Sequence, residues 1–111
     1  MKNEILLVDD EKDIREILCL ALVDMGYTVL EAENGIEALR IFKEAQPPLV
    51  LTDIKMPGMD GIGLLQKIKR VNPEVEVVMI TGHGDMDLAI KSLKFEATDF
   101  ITKPINVDAL E

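Results

Sequence analysis

Short, nearly unbroken apolar runs alternate strictly with stretches of helical periodicity, and no other feature constrains the fold of this chain as tightly. The runs fall at 5–8, 28–32, 49–51, 75–80 and 98–102. Between them the spacing predicts a helix over about 11–25, with Ile14, Leu18, Ala21 and Leu22 near one face and Gly26 closing it. A second opens at Asn34 and Gly35, runs through Ile36, Leu39 and Phe42, pairs Arg40 with Glu44 at i,i+4, and ends at Pro47 and Pro48. A loop with Pro57, Gly58 and Gly61 leads to a third carrying Leu64, Leu65, Ile68 and Val71, stopped at Asn72 and Pro73. The fourth covers 85–95 with Ala89, Ile90 and Leu93 inward, and a last helix begins near Asn106, truncated at Glu111.

Alternation of this kind predicts right-handed βαβ units and a parallel sheet with helices on both faces. Strand composition then suggests the order. The first, third and fourth runs are almost wholly apolar, as strands buried on both faces must be. The second carries Thr28 and Glu31 and the fifth Thr98, Asp99 and Thr102, which suits edges. The expected architecture is a doubly wound, five-stranded α/β sheet in the flavodoxin-like order 2-1-3-4-5. Function in such sheets sits beyond the carboxyl ends of the strands, near the switch point between the first and third.

Size and charge exclude several alternatives. A chain of 111 residues, 48% hydrophobic, supports one domain over 1–111 with a core that needs neither disulfides nor a structural metal. Its one cysteine, Cys19, lies in an apolar helical stretch and reads as a reduced core thiol, as expected of a cytoplasmic protein. No apolar run approaches the roughly 18 residues of a membrane span, and Met1 to Glu4 lead straight into a strand, without room for a signal peptide. A net charge of -9 opposes direct nucleic-acid binding, which rests on Lys and Arg.

The rim of the expected sheet collects polar groups. Asp9 and Asp10 follow the first strand, Asp53 the third, Thr81 ends the fourth and Lys103 follows the fifth. Any one could be structural, since carboxylates after strands often cap helices, and Asp10 or Asp13 could do only that. Two carboxylates about 4 Å apart repel by roughly 4 kcal/mol at an effective dielectric near 20. Three together would raise a pKa or recruit a cation. Mg²⁺, a hard ion that takes one or two carboxylates, waters and a phosphate oxygen, suits the second outcome. Lys103 would then meet an incoming phosphoryl group.

These residues carry a resemblance. Leu7 through Glu11, Asp53 through Gly61, Thr81 with Gly82, and Lys103 with Pro104 together are similar to a response-regulator receiver domain of two-component signalling, over essentially the whole chain. Receiver proteins themselves exemplify the flavodoxin-like order, so fold and resemblance are one inference and not two. The resemblance implies that Asp53 is the phosphoacceptor, forming an acyl phosphate. It implies that Asp10, Asp53 and the backbone carbonyl of Lys55 ligate Mg²⁺, with Asp9 acting through water. Lys103 and Thr81 would contact phosphoryl oxygens, and the bond between Lys103 and Pro104 is the place to expect a cis peptide. By the same resemblance Phe100 would be the switching aromatic, moving with Thr81 to reshape the face formed by the fourth helix, fifth strand and fifth helix.

The implied partners are a sensor histidine kinase or phosphotransfer protein and a downstream output domain or target, with a phosphorylation-dependent dimer also allowed. The domain would be no enzyme beyond promoting its own phosphorylation and dephosphorylation. Lys55 and His83 are either solvated loop side chains or groups that set the lifetime of the acyl phosphate. A phosphorylation-independent adaptor stays open at this point. A haloacid-dehalogenase-type phosphatase needs an acid where Lys55 stands, and an FMN binder needs a phosphate loop where Asp9, Asp10 and Glu11 stand.

Overall fold

The computed structural model describes residues 3–82 and 85–102. Nine elements alternate along them: β1 (Glu4–Val8), α1 (Lys12–Asp24), β2 (Thr28–Ala32), α2 (Gly35–Ala45), β3 (Leu49–Asp53), α3 (Gly61–Val71), β4 (Glu76–Thr81), α4 (Met86–Lys94) and β5 (Asp99–Thr102). The five strands form one sheet in the order β2-β1-β3-β4-β5, every neighbouring pair parallel. Order and direction both agree with the sequence. The expected helix near Asn106 lies outside the described residues.

Alternate strand residues feed two cores, as the period-two geometry of a strand requires. Leu6, Val8, Val50, Val77 and Met79 face Phe42, Leu64, Leu65 and Ile68 of α2 and α3, together with Ala89 of α4. Ile5, Leu7, Leu51 and Ile80 face the other way, onto Leu18 and Leu22 of α1. Phe42 is the largest fully buried side chain among the described residues. Phe42→Ala should cost about 3–5 kcal/mol, read as a lowered denaturant midpoint with an unchanged slope.

Local signals explain the helix ends. Asn34 caps α2, its Oδ1 accepting the Glu37 amide at 2.8 Å, and Asp60 caps α3 by accepting the Gly63 amide at 2.8 Å. The Arg40–Glu44 pair forms at 3.3 Å. α1 has Glu11 as its N-cap, without a side-chain cap, so the alternative in which Asp10 or Asp13 serves only to cap this helix does not hold.

Three further readings are corrected. β3 continues beyond Leu51, because Thr52 and Asp53 stay in register with Met79 and Ile80 although both are polar. On α4 the inward residues are Ala89 and Ser92, while Ile90 and Leu93 are 50% and 41% exposed. Small side chains let this short helix lie close to the sheet, and the Ser92 hydroxyl is satisfied within it by donating to the Ala89 carbonyl at 2.6 Å. Lys69, expected on a solvated face with Lys67 and Arg70, instead turns its ammonium back to the Val75 and Pro73 carbonyls at 2.7 and 3.3 Å.

Candidate functional site

At the carboxyl rim of the sheet Val8 lies beside Thr52, Asp53 beside Ile80, and Thr81 beside Thr102. The chain leaving β1 stays tied to the sheet by one more bond, from the Asp9 amide to the Ala32 carbonyl at 3.2 Å. Asp9 Oδ1 then accepts the Glu11 amide at 2.9 Å, a local turn that brings Asp10 and Glu11 over the rim. The chain leaving β3 is held likewise, Ile54 N–H donating to the Ile80 carbonyl at 3.1 Å. The loop that follows closes when Gly61 N–H donates to the Ile54 carbonyl at 2.7 Å.

This backbone geometry gathers four acids. One carboxylate oxygen from each of Asp9, Asp10, Glu11 and Asp53 lies within 4.8 Å of the others. Asp9 and Asp53 are buried, at 0% and 5% exposure, and Asp10 and Glu11 face solvent. The site is thus acidic at its floor and open at its mouth. Oxygen donors of this number, charge and spacing fit a hard divalent cation. They do not fit a thiolate-loving metal, since the group holds neither Cys nor His.

The structure brings together Asp9, Asp10 and Asp53, as the sequence led one to expect, and adds Glu11. Glu11 was visible as a neighbour of the acidic pair but not as a member of the site. Only the turn after Asp9 places it there.

Thr81 is buried, its hydroxyl directed at the Asp85 and Gly82 carbonyls at 3.3 and 3.4 Å. Lys55 is no isolated loop cation. Its ammonium meets Asp85 Oδ1 at 2.8 Å, joining the loops after β3 and β4 above the rim. Asp85 was not singled out from sequence, and a pair thirty positions apart leaves no local signature. Phe100, beside Met79, is half-buried against the larger core. Lys103, Pro104 and His83 lie outside the described residues. Cys19 behaves as the sequence suggested: burial, with Glu31 beside it, pushes the thiol pKa up, away from a reactive thiolate.

A parallel doubly wound sheet with acids converging at its β1/β3 switch point defines a flavodoxin-like class of α/β protein. Comparison with known proteins narrows the class. A family model described as the response regulator receiver domain matches residues 5–111, and the chain belongs to this family. Sporulation initiation phosphotransferase F of Bacillus subtilis is 36% identical over 110 residues, covering 99% of this chain and 89% of that protein. The nitrogen assimilation regulatory protein NtrX of Azorhizobium caulinodans is 44% identical over 112 residues, but the match covers 99% of this chain and 25% of NtrX. The chain therefore spans about a quarter of the length of such regulators. Among solved structures, a response regulator receiver domain protein from Clostridium thermocellum superposes with a TM-score of 0.93 at 38% identity, covering 96% of this chain and 86% of that one. No helix among the described residues is long and apolar enough to cross a membrane.

Proposed function

We propose that residues 1–111 form a receiver domain that takes a phosphoryl group onto Asp53 and thereby switches a signalling face. The observation that carries this reading is the placement of Asp53 at a buried strand end, within 4.8 Å of three further carboxylates. An Asp53 carboxylate oxygen attacks the phosphorus of a phosphohistidine, or of a small acyl phosphate. The phosphorus–oxygen bond to Asp53 forms as the bond to the donor breaks, and the donor leaves as neutral imidazole, from a phosphohistidine protonated on its other ring nitrogen, or as carboxylate.

Asp9, Asp10, Asp53 and the Lys55 carbonyl would hold Mg²⁺, whose charge, when it is bound, offsets that of the phosphoryl oxygens. Lys103 and Thr81 would meet the remaining oxygens. Thr81 must then release the Asp85 and Gly82 carbonyls, and Phe100 moves with it. That rearrangement reaches α4, whose Met86, Ile90 and Leu93 already present an exposed apolar stripe. A face of this composition suits a protein partner or a second receiver.

The donor would be a cytoplasmic histidine kinase or phosphotransfer protein. The output would be a linked module or a separate target, of the kind that the names of regulators such as NtrX imply. The chain would turn over no external substrate. Incubation with a small acyl phosphate and Mg²⁺ should add one phosphoryl group by intact mass to wild type, and none to Asp53→Asn or to wild type in EDTA. If Asp53→Asn gains the same mass, the proposal is lost. If it gains none yet keeps full, unregulated partner binding, the adaptor reading replaces it.

The Lys55–Asp85 pair bears on how long the phosphoryl group survives. Breaking it frees the loops after β3 and β4 and widens the approach of water to Asp53, so Lys55→Ala and Asp85→Ala should each shorten the acyl-phosphate lifetime. The change should stay within about fivefold, because the exposed Lys55 ammonium leaves the pair screened by solvent and worth no more than about 1 kcal/mol. The double variant should match the single ones. Unchanged decay rates in Lys55→Ala and His83→Ala would end the role of both in setting the lifetime.

A further inference from the structure

We propose that Arg15 is a positioning residue for the cation site, acting through the main chain of Asp9. The inference rests on the reading of the acidic cluster as a Mg²⁺ site and goes beyond it by naming what fixes the cluster's shape.

Arg15 follows the exposed Lys12 and Asp13 in the first turn of α1, yet its side chain is only 15% exposed. Nη1 donates to the Asp9 carbonyl at 2.7 Å, and Nε pairs with Glu31 Oε1 on β2 at 3.3 Å. The guanidinium is therefore clamped between the sheet edge and the peptide that joins Asp9 to Asp10. A planar fork with donors in fixed directions does this well, since gripping Glu31 aims the remaining donor.

The consequence follows from peptide geometry. The Asp9 carbonyl and the Asp10 amide belong to one planar unit. The Asp9 amide is already held by Ala32 and the Asp9 carboxylate by the Glu11 amide. Arg15 supplies the restraint on the carbonyl side, and with it the plane from which the exposed Asp10 side chain departs. Groups that orient ligands from behind in this manner typically change metal affinity about 10–100-fold when lost.

Electrostatics alone predicts the opposite sign, which makes the proposal testable. Arg15 is a cation near a cation site, so deleting its charge should tighten Mg²⁺ binding if charge were its whole contribution. If it positions Asp10, deletion should weaken binding. The measurement is isothermal titration of Mg²⁺ into wild type, Arg15→Ala, Arg15→Gln and Arg15→Lys, each first shown to be folded by circular dichroism. The expected order of affinity is wild type, then Arg15→Lys, then Arg15→Ala, with about tenfold or more between first and last. Arg15→Gln, a neutral donor, should fall below wild type, and it decides the sign if Arg15→Ala does not fold.

Equal affinities, or a neutral variant that binds more tightly than wild type, would overturn the role of Arg15 while leaving the site intact. Absence of Mg²⁺ binding by wild type itself would overturn the underlying site, and this inference with it.

Discussion

Gly61→Ala is expected to melt on the order of 10–20 °C below wild type, a larger loss than its one added methyl group suggests. A Cβ at position 61 would sit 2.2 Å from the Asp53 carbonyl oxygen and 2.8 Å from Ile54 Cα. Both are backbone atoms at the end of a central strand, so no side chain can rotate away. Overpacking costs about 1–3 kcal/mol when neighbours can adjust, and more when they cannot. The same glycine donates its amide to the Ile54 carbonyl, so relief by moving α3 outward would break the bond that closes the loop. Gly63→Ala is the control. There the new Cβ meets only the Asp60 carboxylate and Met59 Cγ, both at 3.4 Å, and a helical position should gain about 0.5–1 kcal/mol. Thermal melts of the two variants by circular dichroism decide the point. A wild-type melting temperature for Gly61→Ala would mean that α3 does not approach β3 as described. A change there should also disturb phosphoryl uptake, because the displaced atoms belong to Asp53.

Asp10→Asn should separate stability from function in opposite directions. Four carboxylates within 4.8 Å repel one another when no cation is present. Neutralising one of them should raise stability in EDTA by about 1 kcal/mol, well below the gross Coulomb terms because Asp10 is solvated. The same change removes a charged ligand from a divalent ion. Mg²⁺ affinity should fall by at least about 100-fold, or about 2.7 kcal/mol. Wild type should gain melting temperature as Mg²⁺ is added, by mass action on the folded state. Asp10→Asn should start higher in EDTA and respond little to Mg²⁺. Melts with and without the ion read both effects at once. A variant no more stable than wild type in EDTA, or one still stabilised normally by Mg²⁺, would contradict the site. The opposed signs are what is expected where a binding site is maintained at some expense to the fold.

Much of this was legible before the structure. The alternation of runs and helical spacing carried the architecture, and the polar residues Thr28, Glu31 and Asp99 marked the edge strands, which decided the order. The acids followed because their positions were defined by strand ends. The misreadings have physical causes. On α4 hydrophobicity favoured Ile90 and Leu93 as inward, but close approach to the sheet selected the small Ala89 and Ser92. Polar Thr52 and Asp53 did not look like strand, yet parallel pairing with β4 carries them two residues further. Side chains that act across sequence distance left no local trace. The Lys55–Asp85 pair depends on which loops the fold brings together, and the bond from Arg15 to the Asp9 carbonyl on how the start of α1 turns back over the end of β1. Glu11 joined the acids only through the turn stabilised by Asp9.

The proposed function rests on one carboxylate receiving a phosphoryl group while its neighbours seat a divalent ion. The most direct measurement treats the acyl-phosphate-loaded protein with borohydride, which converts an aspartyl phosphate to homoserine, and maps the product by tandem mass spectrometry. Homoserine at position 53, dependent on Mg²⁺, is the predicted result. Homoserine at Asp9 or Asp10 instead, or a loaded protein with no reducible carboxyl, would contradict it.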